Sequence, residues 1–326
     1  MDNLNHDAMV HCCADCGSVA REGFTLKACK SCMLVKYCNV NCQKNHWSTH
    51  KTLCKRRSAE LRDEALFKDP PAKKDCPICF LPVPTKAISC VSLPPATVSS
   101  IPIKDFVNEH EELATQDMEI YYSCCGKSIC GGCAHSFRES ENNRSCPFCK
   151  TDRIGKTDEE RVKQMMKRVE ANDAGAIYVL GSNYFHGKLD LHQDRDKAME
   201  LWKQAAEMGF SKAHFALGTE FYDGGDLKKA KFHYEEAAMA GHEDARFNLG
   251  IIEGKSGNVE RGFKHWIIAA SAGDCNAMYN LQQAFEKGYS VSEETINSTL
   301  AAYNTSCAEM RSEARDIFIT DHTVER

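Results

Sequence analysis

Nineteen cysteines in 326 residues are the feature that most limits how this chain can fold, and their placement says more than their number. Eight lie between residues 12 and 54 and nine between 76 and 149, leaving only Cys275 and Cys307 further on. The opening MDNLNHDAMV is polar and acidic where a secretory leader would be basic and then apolar, and no apolar run approaches the roughly 18 residues of a membrane span. The expectation is an intracellular protein, cytoplasmic or nuclear, not secreted and without a membrane partner. In a reducing compartment paired cysteines serve metal rather than disulfides, and zinc is the first candidate.

The first cluster holds four paired ligand sets: Cys13/Cys16, Cys29/Cys32, Cys38/Cys42 and His50/Cys54. The first two are C-x-x-C knuckles, and the last two have the i, i+4 spacing that puts two ligands on one helical face. Cys12, which makes C-x3-C with Cys16, competes with Cys13 as the first ligand. Eight ligands make two closed sites with no position left for a catalytic water. So short a segment buries too little apolar surface to fold unaided, and each structural zinc supplies about 10 to 16 kcal/mol.

From the second knuckle onward the pattern C-x-x-C-x5-C-x3-C-Q-x3-W-x2-H-x3-C resembles the MYND-type zinc finger. The resemblance implies interleaved sites, Cys13, Cys16, Cys38 and Cys42 on one ion and Cys29, Cys32, His50 and Cys54 on the other. It also implies a protein-interaction module that takes proline-rich peptides, with Gln43 and Trp47 at the peptide-binding positions. For Trp47 a core role stands beside the peptide-contacting one. MYND fingers also occur inside lysine methyltransferases, but twelve residues before Cys13 leave no room for the first segment of a split catalytic domain.

The second cluster opens with C-P-I-C at 76–79, continues with C-C-G-K-S-I-C-G-G-C at 124–133 and closes with C-P-F-C at 146–149. It resembles an all-cysteine RING domain. The resemblance implies a cross-brace of Cys76, Cys79, Cys130 and Cys133 on one zinc and Cys124, Cys125, Cys146 and Cys149 on the other, four zinc ions in all. The interval from 79 to 124 is long for this class, and it implies an inserted loop carrying Cys90, Pro94 and Pro95. Adjacent side chains tend to diverge, so His135 is an alternative to one member of the Cys124–Cys125 pair. In RING-type ligases a ubiquitin-conjugating enzyme docks beside the knuckles. Ile78, Pro147 and Lys150 match those docking positions, with Lys150 in place of the usual arginine.

Beyond residue 157 self-similarity takes over. Aligning AIYVLGSNY, AHFALGTEF, ARFNLGIIE and AMYNLQQAF registers Ala176, Ala213, Ala245 and Ala277, then Leu180, Leu217, Leu249 and Leu281. Second elements close on Gly209, Gly241 and Gly273. Two helices per unit, the second ending at a left-handed glycine, resemble Sel-1-like repeats, relatives of the tetratricopeptide class. Glu253 stands where an aromatic is expected and Gln282 where a glycine is expected. Tyr178, Phe215, Phe247 and Tyr279 recur in register, and the expectation is that they pack successive first helices together. From Ser292 the sequence reads as one long capping helix.

The expected architecture is multi-domain: two small zinc-stabilised modules, a MYND finger and a RING-like α+β unit, followed by an all-α helical-repeat solenoid. Its segments are a polar tail (1–12), the finger (13–54), a helical linker (55–75), the RING-like domain (76–152), a connecting helix (153–172), the repeats (173–290) and a C-terminal capping helix (291–326). Basic residues outnumber acidic ones by four in residues 1–60, without the dense Lys/Arg stripe of a nucleic-acid binder, and the chain as a whole carries a net charge of −5. No phosphate-binding glycine loop, nucleophile elbow or open metal site is visible. Two functions remain: a zinc-dependent adaptor that binds proteins or peptides, and a RING-type ubiquitin ligase that recruits a conjugating enzyme.

Overall fold

The chain divides into two compact units, residues 1–68 and 69–326. A computed structural model describes residues 12–21, 23–86, 118–140, 143–152 and 155–324, with side chains as far as residue 319. Most of the polar tail and the inserted stretch with Cys90, Pro94 and Pro95 lie outside the described residues.

In the first unit a two-residue strand pair, β1 (Lys27–Ala28) and β2 (Lys36–Tyr37), precedes one long helix, α1 (Val40–Leu66). Asn39 caps this helix, its side chain accepting from the Cys42 N–H at 2.9 Å. The linker helix expected over 55–75 is therefore the continuation of the finger's own helix, and it stops at Leu66. Nothing in the sequence between His50 and Lys55 breaks a helix, so propagation is easier than a fresh start. The buried residues are nearly all ligands: Cys13, Cys29, Cys32, Cys42 and Cys54, with Val35 and Tyr37.

The second unit begins with a hairpin, β3 (Glu119–Tyr122) and β4 (Lys127–Cys130), paired antiparallel with Tyr122 opposite Lys127. Helix α2 (Gly131–Glu139) follows directly. Next come α3 (Asp158–Glu170), opened by a Thr157/Glu160 capping box, and three helix pairs. These are α4 (Ala174–His186) with α5 (Arg195–Glu207), α6 (Ser211–Asp223) with α7 (Leu227–Met239), and α8 (Glu243–Lys255) with α9 (Val259–Ser271). α10 (Cys275–Glu286), α11 (Glu293–Met310) and α12 (Glu313–Val324) complete the chain.

Each repeat turn closes in the same way. After α5, Gly209 is left-handed and donates to Ala206 O at 2.8 Å, while Phe210 donates to Ala205 O at 3.1 Å. Gly241 with His242, and Gly273 with Asp274, repeat both bonds, which is the Schellman arrangement that satisfies the last carbonyls of a helix. Inside each pair a second-helix aromatic lies over a first-helix glycine: Trp202 over Gly181, Tyr234 over Gly218 and Trp266 over Gly250. Gln282 occupies the fourth such position and is buried at the end of the stack.

The registered aromatics join each second helix to the start of the next first helix: Tyr178 lies against Trp202 and against Phe210, the residue before α6, and Phe215 against Tyr234 and against His242, the residue before α8. Two expectations change. Glu253, in the aromatic slot, is fully buried and accepts Lys231 at 2.7 Å and Arg261 at 2.8 Å, so an ion-paired carboxylate fills a ring's place. The C-terminal helix is two helices. Backbone at Arg311 is extended and Ser312 restarts the helix, accepting from the Arg315 N–H. α11 packs on the last repeat through Leu300, Tyr303, Cys307 and Met310, in one core with Cys275.

The second zinc module is seated along the row of first-helix starts. The Tyr121 hydroxyl donates to Asp173 at 3.0 Å, Glu119 pairs with Lys212 at 2.7 Å, and Lys73 pairs with Glu243 and donates to Ala272 O at 2.8 Å. Met118 and Phe318 join the core of the final helices. The second cluster and the repeats thus share one body.

Burial also sets an acid response. It brings His233 down to about 4, and His242 and His265 to about 3. The unfolded chain takes up these protons first, so the stability they contribute is whole above roughly pH 6.5 and lost as pH falls toward their folded values. Asp274 opposes them, since burial and the Asp244 charge raise it to about 7. These three against one leave a net loss of about 2 kcal/mol between pH 7 and 5.5, and His214, also lowered by burial, acts in the same direction. We expect the helical melting midpoint to fall by roughly 5 °C over that interval. An unchanged midpoint by circular dichroism would contradict these burial assignments.

Candidate metal centres

Four groups of side chains converge, each with its four ligand atoms within 4.8 Å of one another. They are Cys13, Cys16, Cys38 and Cys42; Cys29, Cys32, His50 and Cys54; Cys76, Cys79, Cys130 and Cys133; and Cys124, Cys125, Cys146 and Cys149.

Local backbone explains how each pair is presented. Four of the five C-x-x-C knuckles share one turn, in which the residue after the second cysteine is left-handed and its N–H returns to the first cysteine's carbonyl, whereas the fifth, Cys130/Cys133, runs into α2. Gly17 donates to Cys13 at 2.9 Å, Met33 to Cys29 at 2.9 Å, Phe80 to Cys76 at 2.8 Å and Lys150 to Cys146 at 3.1 Å. Met33, Phe80 and Lys150 hold a conformation that favours glycine, at a cost of about 1 kcal/mol each, offset by metal binding. The offset after C-x-x-C was the available signal at these four, although Ala134, at the same offset after Cys133, is helical instead. His50 and Cys54 lie one turn apart on α1. Cys38 and Cys42 do not share a helical face, because Cys38 precedes the Asn39 cap and the pair straddles the start of α1.

The adjacent pair Cys124 and Cys125 reaches one centre because both sit in the tight β3–β4 turn. Cys125 and Gly126 each donate to Tyr122 O there, and Gly126 is left-handed. In a strand the two side chains would diverge. His135 stands apart from the cluster, its ring edge-on to Phe318 at 6.2 Å. Cys12 pairs through its backbone with Val19 and is not among the four converging atoms.

The spacings fit a divalent ion. Sulfur pairs stand 3.6 Å apart at Cys16/Cys38, 3.7 Å at Cys29/Cys54 and 3.8 Å at both Cys79/Cys130 and Cys125/Cys146. A disulfide needs about 2.05 Å, whereas tetrahedral zinc with bonds of about 2.3 Å spaces its sulfurs by about 3.8 Å. No described cysteine forms a disulfide.

Electrostatics points the same way. Burial raises the Cys13 thiol, but backbone N–H groups of Cys16, Cys38 and Asp15 outweigh it and bring the group down to about 6. Burial likewise raises Cys149 and Cys76, but hydrogen bonds from Thr151 bring the first down to about 6 and the Cys130, Cys79 and Ile78 amides bring the second down to about 7. Their neighbours move up: Cys54, desolvated and beside Cys29 and Cys32, rises to about 12, and Cys42, Cys124 and Cys133 are pushed well above a free thiol. Crowded thiols cannot all ionise together unless a cation joins them. Zinc would be held by all sixteen ligands and would supply the cohesion that the small apolar cores lack.

Other predicted positions divide. Trp47 is 41% exposed, edge-on to His50 at 6.4 Å, which removes the core reading of its indole. Gln43 is half-buried, with its amide 3.9 Å from Cys29 Sγ, and so it borders the second ligand cluster. Ile78 is 41% exposed at its knuckle, Pro147 is half-buried, and Lys150 belongs to the closing turn described above. Among the described residues no helix is long and apolar enough to cross a membrane.

Residues 13–54 match the MYND finger family model, and residues 174–210, 211–242 and 243–274 match the Sel1 repeat model. No RING family model matches the second cluster. Similar solved structures include c5321, a protective antigen of uropathogenic Escherichia coli described as displaying an SLR fold. It is 22% identical with a TM-score of 0.40, over 52% of this chain and 37% of that one. A Sel1 repeat protein from Oxalobacter formigenes is 26% identical with a TM-score of 0.35, over 38% of this chain and 98% of that one. The chain thus spans little more than a third of the first protein's length.

Proposed function

We propose that this chain is an adaptor, in which zinc is architectural and the activity is the binding of other proteins. The observation that carries the reading is that each cluster brings four protein ligands together, so a tetrahedral ion in any of them has its shell filled by the chain itself. The finger supplies a contact surface beside its ions. Trp47 and Val40 lie seven residues apart on α1, hence on one face, and both are exposed. An exposed indole beside an apolar neighbour suits an extended proline-rich peptide, which binds with little loss of chain entropy. Cysteines grouped at metal-ligand spacing suit a reducing compartment, and the reading is of a protein that works inside the cell. We expect the full chain to bind members of a proline-rich peptide array, and Trp47→Ala to weaken that binding at least about tenfold. Binding that survives Trp47→Ala unchanged would refute this surface.

A second reading is favoured by one observation. Ile78 and Phe80, the latter 76% exposed, project from the 76–79 knuckle where a ubiquitin-conjugating enzyme would dock. On that reading the full chain builds ubiquitin chains with at least one conjugating enzyme, and Ile78→Ala stops it. The adaptor reading expects no chains.

A further inference from the structure

The break at Arg311 returns the chain so that α12 lies against α2 of the second zinc module. Two glycines make room for it. A Cβ on Gly131 would stand 2.7 Å from the Phe318 ring, and one on Gly132 would stand 2.6 Å from the backbone nitrogen of Arg315. Neither glycine has a positive φ, so space rather than backbone conformation explains the pair.

This close approach buries Arg315 completely, at 0% exposure. Its guanidinium donates to Pro82 O at 2.8 Å, Leu81 O at 3.3 Å, Met310 O, and Cys79 Sγ at 3.5 Å. Cys79 is a ligand of the third cluster and lies 236 residues away in sequence. Leu81 and Pro82 belong to the strand-like segment that closes the same knuckle, where Asp75 bridges Pro82. One side chain of the C-terminal helix therefore holds a thiolate and the turn that presents it.

Four thiolates around one divalent ion leave a net charge of −2, and sunk in protein that charge needs compensation. A guanidinium is a permanent cation with several donors in a fixed fork, suited to a sulfur and two carbonyls at once. The other three centres draw their described outer contacts from nearby in their own modules. Ser18 lies 3.2 Å from Cys16 Sγ in the first, the Gln43 amide 3.9 Å from Cys29 Sγ in the second and Thr151 3.1 Å from Cys149 Sγ in the fourth. Only the third centre has a charge delivered from the far end of the chain among these contacts.

We propose that α12 is a lock on the zinc of Cys76, Cys79, Cys130 and Cys133. The docked Arg315 balances its charge and steadies Cys79, and the ion is held while α12 is seated and exchanges when α12 lifts. The inference rests on the reading that zinc fills this cluster. It makes the metal content of the second module responsive to whatever displaces the C-terminal helix.

The test is zinc release from the full chain into excess chromogenic chelator, with ions per chain counted beforehand. In Arg315→Met one ion of four leaves at least about tenfold faster and three keep their rates. Arg315→Lys, which retains the charge without the fork, recovers part of the retention. Phe318→Ala loosens α12 while leaving every ligand and Arg315 in place, and also frees one ion. Helical signal is followed in parallel, and if Arg315→Met loses it, Phe318→Ala decides. Unchanged release in a folded Arg315→Met overturns the lock while leaving the four-zinc reading intact, and so does equal acceleration of all four ions. An unsubstituted chain with no ion in this cluster overturns both.

Discussion

Cys29→Ser is expected to remove two zinc ions from the chain, not one, and to abolish the fold of residues 12–54 while the second unit melts as before. The two centres of the first unit are interleaved along the sequence. Cys29 and Cys32 lie between the halves of the Cys13, Cys16, Cys38 and Cys42 set, and Cys38 and Cys42 lie between the halves of the other. Neither set can form without fixing the path of the chain through the other. One structural zinc is worth about 10 to 16 kcal/mol, comparable with the whole stability of a small domain. What remains without it is a pair of two-residue strands and a helix with few apolar partners. The buried clusters of the second unit are built from its own residues, so its transition stays where it was. Metal content by elemental analysis should fall from four ions to two. A count of three, with a folded finger, would contradict the interleaving.

Trp202→Ala is expected to destabilise the repeats by about 3 to 5 kcal/mol. This indole is 5% exposed, lies over Gly181 and has the Phe185 ring at 5.2 Å. Its Nε1 donates to Tyr178 O at 3.2 Å. Truncation therefore opens a cavity between α4 and α5 and leaves a carbonyl without that partner. The opposite change, Gly181→Ala, puts a Cβ 2.8 Å from the same ring and is expected to cost about 1 to 3 kcal/mol by overpacking. The two substitutions share one contact, so their combination should not be additive. Denaturant midpoints of the single and double variants measure this directly. A Trp202→Ala midpoint equal to that of the unsubstituted chain would refute the glycine–aromatic contact as the seam of each pair.

The metal clusters were legible because ligand spacing is local. Cys29/Cys32 or His50/Cys54 advertises a shared centre within five residues, and the repeats advertise themselves through Ala176, Ala213, Ala245 and Ala277. The glycines at 181, 218 and 250 were visible in the alignment, but their reason was not, since each answers an aromatic in the following helix, Trp202, Tyr234 and Trp266. Contacts made once, across great separations, left no such mark. Tyr121 on Asp173, Lys73 on Glu243 and Arg315 on Cys79 have no period and no motif. They are nonetheless what joins the second module to the repeats. Propensity misled at two places. Residues 292–318 suit a helix throughout, yet docking of α12 draws the backbone out of helix at Arg311, and local preference yields to burial. At Cys38 the i, i+4 rule failed because the helix begins two residues later, under an asparagine cap that the spacing alone did not reveal.

The claim on which the whole account stands is that four zinc ions, each closed by four protein ligands, hold the cysteine-rich regions together. Native mass spectrometry of the intact chain under reducing conditions tests it most directly. The expected mass exceeds that of the polypeptide by four zinc ions, with the ligand cysteines unoxidised. A metal-free folded chain, or one whose ligand cysteines are joined as cystines, would contradict it.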